Sequence, residues 1–159
     1  MKFSTIKIAS ALFFSAVFIT SCSDKYDNRS EFINGFATVN LNGKYGVIND
    51  KGQEIVPCKY EFVSNYVDGL AKVKMNNKVG LIDTQGKEVV SPKYDKIFLF
   101  NKGMAKVELN KKFGYLGKDG KEIVPCKFEA VNYNFVQGYF ELAENGIVKR
   151  VEKEEIKNL

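Results

Sequence analysis

Residues 66–97 read YVDGLAKVKMNNKVGLIDTQGKEVVSPKYDKI, and their pattern decides the fold. Ala71, Val73 and Met75 alternate with Lys72 and Lys74, the period of two that sends successive side chains to opposite faces of a strand. Asn76-Asn77 interrupts the alternation as a hairpin turn, a second strand runs through Val79-Gly80-Leu81-Ile82, and Thr84-Gln85-Gly86 turns the chain again. A short third strand at Val89-Val90 ends at Pro92, which has no N–H to give to a ladder. Displaced by 34 residues the pattern recurs, as FINGFATVNLNGKYGVINDKGQEIVPCKYEFV at 32–63 and FNKGMAKVELNKKFGYLGKDGKEIVPCKFEAV at 100–131. Gly35, Gly69 and Gly103 keep the period, as do Gly46, Gly80 and Gly114, and Gly52, Gly86 and Gly120. A fourth, broken copy starts at Phe135 and decays after Gly146.

A fixed period of this length marks units that cannot bury their apolar faces alone and share a continuous core with their neighbours. The expected fold is all-β, with tandem β-hairpin repeats: three full units and a partial capping unit, in a curved open array or propeller-like sheet. Val73 and Leu81 are expected in the shared core, and Lys72, on the opposite face from Val73, at the surface.

Upstream of the repeats, Lys2 and Lys7 precede an uncharged, largely apolar run from Ile8 to Ile19, then Thr20, Ser21 and Cys22. A run of about a dozen residues suits a signal-peptide core and falls short of the roughly 20 that span a bilayer. Ile19-Thr20-Ser21-Cys22 resembles the lipobox of bacterial lipoproteins, which implies cleavage before Cys22 and acylation of its thiol. Ser23 resembles the residue that sorts Gram-negative lipoproteins to the outer membrane. The expected organisation is a signal peptide at 1–21, a polar tether at 22–31, the β domain at 32–151 and a charged tail at 152–159.

The composition narrows the chemistry. The chain has 159 residues, 24 Lys+Arg, 19 Asp+Glu, three Cys and no His. Without His there is no Ser-His-Asp or Cys-His catalysis and no His-ligated zinc. Residues 1–21 carry two lysines and no acid, so their loss lowers the net charge from +5 to +3. That is too mild for a nucleic-acid partner, and no Lys/Arg cluster stands out.

Gly69-Leu70-Ala71-Lys72-Val73, Lys78-Val79-Gly80-Leu81-Ile82-Asp83, Gly86-Lys87-Glu88-Val89-Val90 and Pro92-Lys93-Tyr94-Asp95 together resemble the WG (KWG) repeat, a bacterial family. The likeness covers roughly 32–146, and it departs at the name-giving tryptophan, where Tyr45, Val79 and Phe113 stand. It implies an architecture and carries no catalytic residue.

Candidate side chains follow the period. Tyr45, Tyr60, Tyr94, Phe113 and Phe128 would be stacking platforms for sugar rings if exposed, and core if buried. Lysine rows (44, 78 and 112; 59, 93 and 127) and an acidic row (Glu54, Glu88 and Glu122) are expected to pair or to stay solvated. Recurrent glycines at 46, 80 and 114 are expected where a side chain or neighbouring backbone packs over them. Cys58 and Cys126 are expected as small buried hydrophobes, and Asp50, Asp83 and Asp119 as turn residues. No catalytic residue, metal site or cofactor is expected. The expected partners are a membrane, through lipid on Cys22, and a protein or cell-envelope glycan, bound by a non-catalytic module.

Overall fold

The computed structural model describes residues 25–158; the segment expected as a signal peptide and Cys22 lie outside the described residues. Four antiparallel sheets follow one another in chain order. The first contains β1 (Asn28–Arg29), β2 (Phe36–Leu41), β3 (Lys44–Asn49) and β4 (Glu54–Tyr60). The second contains β5 (Phe62–Val63), β6 (Leu70–Met75), β7 (Lys78–Asp83) and β8 (Glu88–Tyr94). The third contains β9 (Lys96–Asn101), β10 (Met104–Leu109), β11 (Lys112–Gly117) and β12 (Glu122–Phe128). The fourth has three strands, β13 (Ala130–Tyr133), β14 (Tyr139–Glu144) and β15 (Ile147–Glu152), before a short 3-10 turn at Glu155–Asn158. The all-β repeat fold is as expected.

The sheets are out of phase with the units that the sequence suggests. A single residue separates β4 from β5, β8 from β9 and β12 from β13, so the end of each unit pairs with the strands of the next. That residue is acidic, and it ties the two sheets together. Glu61 accepts the N–H groups of Asn76 and Asn77, and Asp95 that of Asn110, at the hairpin turns of the following sheet. Those turns need a left-handed backbone (φ is 50° at Asn76 and 61° at Asn77), which asparagine tolerates best among non-glycine residues.

The same phase corrects the N-terminal boundary. Lys25-Tyr26-Asp27 repeats as Lys59-Tyr60-Glu61 and Lys93-Tyr94-Asp95, and Asp27 accepts the Asn42 N–H at 2.7 Å. Part of the expected tether is therefore sheet: Asn28 and Arg29 pair with Asn40 and Val39. The charged tail is also built in, because Ile156 is buried in the last apolar cluster.

Glycine is obligatory at one recurring place in the complete sheets, and also at the Gly86 and Gly120 turns, where a Cβ would overlap the carbonyl oxygens of Ile55 and Val89. The third strand bulges across Gly46, Gly80 and Gly114, and a Cβ there would overlap the carbonyl oxygens of Val56, Val90 and Val124. The fourth sheet lacks that crossing strand. There Lys149 takes the corresponding place, opposite Leu142 as Gly80 is opposite Val73.

Alternation puts apolar residues on both faces of each inner sheet. Val73, Ala71 and Ile82 pack toward the first sheet with Val47, Val56 and Tyr60, while Leu81, Val90 and Tyr94 pack toward Ile97, Val107 and Leu116 of the third. At the third junction Tyr115, Val124 and Phe128 meet Val131, Phe140 and Leu142. Burial of such side chains, about 1.5–3 kcal/mol each, ties each sheet to its neighbours. The array stays open: the apolar cluster of the first sheet draws on no residue of the fourth. In β15, Arg150 stands where Leu81 and Tyr115 face a following sheet, and it pairs with Glu141 at 3.4 Å. The last face is thereby polar, as a cap requires.

The acidic and lysine rows form rungs between sheets. Tyr60 donates to Glu88 at 2.6 Å and Tyr94 to Glu122 at 2.6 Å, while Lys59 and Lys93 pair with the same carboxylates at 3.0 and 3.3 Å. Tyr26 and Lys25 make the same rung with Glu54, at 2.9 and 2.8 Å. Tyrosine and glutamate lie 28 residues apart in each rung. In the fourth rung that interval links Phe128 to Ile156, both in one apolar cluster. The hydroxyl and the carboxylate have been lost together, which leaves no polar atom unpaired.

Candidate functional site

The three junctions between sheets share one plan and differ in what fills them. At the first, the Phe36 and Tyr66 rings lie 4.6 Å apart, and Tyr45 extends the face at the end of β3. At the third, Phe140 meets Tyr115 at 5.3 Å and Tyr133 at 4.5 Å, and Tyr133 meets Phe135 at 4.9 Å. The middle junction has smaller residues. Leu70 stands where Phe36 does, and Val79 where Tyr45 and Phe113 do. Two adjoining recesses result, of about 250 Å³ and about 500 Å³, with Lys72 lining both.

The third unit adds a second irregularity here. Where the first two units have Ser30-Glu31 and Ser64-Asn65, it has Phe98-Leu99. The serines hold the edge by local hydrogen bonds: Ser64 Oγ accepts the Lys72 N–H at 2.9 Å and donates to Asn65 O at 2.9 Å. Phe98 and Leu99 offer no such bond, β9 runs longer than β1 or β5, and its pairing with β10 slips between Ala105 and Val107. Leu99 is 82% exposed and Phe98 42%.

Lys72 spans the gap between the sheets, its Nζ donating to Ile97 O at 2.6 Å. Partial burial pushes its ammonium below the ordinary lysine range. This corrects the expectation of a surface lysine: the face opposite Val73 is also covered, by the third sheet. Lys74 lies two residues on, between Phe62 and Val79 across the sheet, and has no ion pair among the described residues. The nearby acids are already engaged, Asp95 with Lys78 and Glu108 with Lys96. The Lys78 ammonium, helped by the Asn110 N–H, holds the Asp95 carboxyl below its usual range.

The five aromatic residues expected as platforms do not share an exposed face. Tyr60 and Tyr94 are fully buried and Phe128 nearly so, because each closes the junction to the next sheet. Burial also pushes the hydroxyls of Tyr60 and Tyr94 above the ordinary tyrosine range, with the Glu88 and Glu122 carboxylates adding to it. Phe113 is half-buried beneath the Lys106 ammonium at 4.6 Å, and Tyr45 alone of the five is exposed. Cys58 and Cys126 are free, half-buried thiols set against Val39 O and Val107 O, and burial raises Cys126 to about 11. Asp83 and Asp119 accept backbone N–H groups within their own turns.

The sequence profile of the WG containing repeat matches residues 25–45, 45–78, 80–113 and 113–146. The chain belongs to the WG-repeat family. No match was found among curated proteins. The profile begins at Lys25, in agreement with the half-unit that β1 contributes to the first sheet. In this WG-repeat protein the recess lies at the tryptophan position of the middle repeat, where Val79 is the smallest of the three substitutes. Val79 is the one non-aromatic residue of the three in the sequence, and its meaning depends on what faces it across the junction. The recess offers apolar walls, the ammonium groups of Lys72, Lys74 and Lys96, the Asp95 carboxylate, the Asn65 amide and the Ser64 hydroxyl, which is already engaged in local hydrogen bonds.

Proposed function

We propose that this WG-repeat protein is a non-catalytic binding module of the bacterial cell envelope, anchored by lipid on Cys22, with the middle junction holding a protein partner. The supporting observation is the departure from the repeat at that junction. Val79 and Phe98-Leu99 differ in kind from their counterparts, and with Leu70, which replaces the Phe36 ring of the first unit, they line recesses larger than the one of about 170 Å³ between Phe128 and Leu142 at the third junction. A repeat protein presents equivalent side chains at intervals, and specificity lies where one unit differs.

Photo-crosslinking tests this reading. A benzophenone side chain at Leu99, 82% exposed, should give a discrete adduct in cells; the same group at Val136, 95% exposed, should not. Val79→Phe should suppress the Leu99 adduct by filling the recess. Equal labelling from both positions would refute it. For the envelope placement, acylated protein should partition into detergent and Cys22→Ala should abolish the partitioning. Glycan binding through the five rings loses its support, since the buried rings offer no face to a sugar.

A further inference from the structure

We infer that the segment held at the middle junction is an extended, acidic one that places a bulky apolar side chain beside Val79 and carboxylates on Lys72 and Lys74. This rests on the reading of that junction as the binding site. Charge complementarity carries it. At the two positions that Lys72 and Lys74 occupy, the first unit has Thr38 and Asn40, the third Lys106 and Glu108, and the fourth Glu141 and Ala143. At these two positions a pair of cations occurs in the second unit alone. Asp95 and Lys96 also line the recess, but each already has a partner, Asp95 in Lys78 and Lys96 in Glu108, so neither neutralises nor repeats the pair. Lys72 spends one N–H on Ile97 O and has two left, and Lys74 has no ion pair among the described residues.

The geometry selects an extended chain. Lys72 and Lys74 are two residues apart on one strand, roughly 7 Å, the interval at which alternate side chains of an extended peptide project. Recesses of about 250 and 500 Å³ take a few projecting side chains, not a helix about 10–12 Å across. The walls at Phe62, Val79, Phe98 and Leu99 call for apolar side chains between the carboxylates, which a phosphate-rich or sugar polymer lacks.

Phage-displayed random nonapeptides panned over the full chain, with depletion on the Val79→Phe variant, test this. Val79→Phe should fold, as Phe113 does in the third unit, and its cooperative melt is checked first. Enriched peptides should carry Asp or Glu two residues apart around a bulky apolar residue. Labelled with fluorescein, they should bind the Lys72→Gln, Lys74→Gln double variant roughly tenfold more weakly and lose affinity as salt rises. Peptides that need the recess but are basic or uncharged would overturn the acidic assignment and leave the binding site standing. Peptides that bind Val79→Phe as tightly as the parent, or no enrichment over that variant, would overturn both.

Discussion

Tyr94→Phe removes one hydroxyl from a fully buried ring and should cost about 1.5 kcal/mol. The hydroxyl donates to a carboxylate oxygen of Glu122 at 2.6 Å, and hydrogen bonds to charged groups contribute about 1.5–3 kcal/mol. The Glu122 side chain keeps 31% of its exposure, so water re-solvates it and the lower end applies. Glu122→Ile alone strands the buried hydroxyl, at about 1–3 kcal/mol. The double variant rebuilds the pairing found at Phe128 and Ile156, where hydroxyl and carboxylate are absent together. It should therefore be less damaging than the sum of the singles, by a coupling of about 1–2 kcal/mol. Urea melts followed by near-UV circular dichroism measure all four corners of the cycle. Additive singles would show that the rung does not act as a unit, and that Phe128–Ile156 is no equivalent of it.

Gly80→Ala should lower stability by about 3 kcal/mol or more, since its Cβ meets the Val90 and Pro92 backbone, while Gly69→Ala, with open space but a φ of 81°, should cost about 1 kcal/mol; urea midpoints compare them. Val73→Asp should unfold the middle of the array because Val73 is fully buried, and Lys72→Ala should cost about 1 kcal/mol through the lost bond to Ile97 O; equal melts would refute the assignment of faces. Stability should plateau between roughly pH 5 and pH 10. Glu54, held low first by Lys25, and Glu88, held low first by Tyr60, contribute stability that is full above the unfolded carboxyl range and lost as pH falls through their folded values. Tyr60 and Tyr66, raised by burial (Tyr66 to about 12), contribute stability that is full below the unfolded tyrosine range and lost as pH rises through theirs. Melting temperatures across the range check both limbs, and a maximum outside that window would contradict them.

Strand identity was readable residue by residue. Alternation at Ala71-Lys72-Val73 and asparagine at the turns act within a few bonds, so the local sequence carries the all-β assignment and the period of 34, but the third strand does not end at proline and runs through Pro57, Pro92 and Pro125. For one lysine row the pairing repeats with the period, Lys59 with Glu88 and Lys93 with Glu122, while Lys78 and Lys112 of the other row pair with Asp95 and Glu129. The half-unit at Lys25-Tyr26-Asp27 was also present in the letters, masked by polar neighbours that read as a tether. Which strands share a sheet was not readable, since pairing Phe62 with Lys74 rather than with its own unit is a choice between long-range partners. Neither was the fate of Tyr60 and Tyr94: an aromatic residue at a strand end is exposed or buried according to whether the next sheet covers that face, as it does here. The recess at Val79 lies furthest from sequence reading, because an opening is a difference in volume summed over two sheets, and a small residue makes one only when nothing opposite grows to fill it.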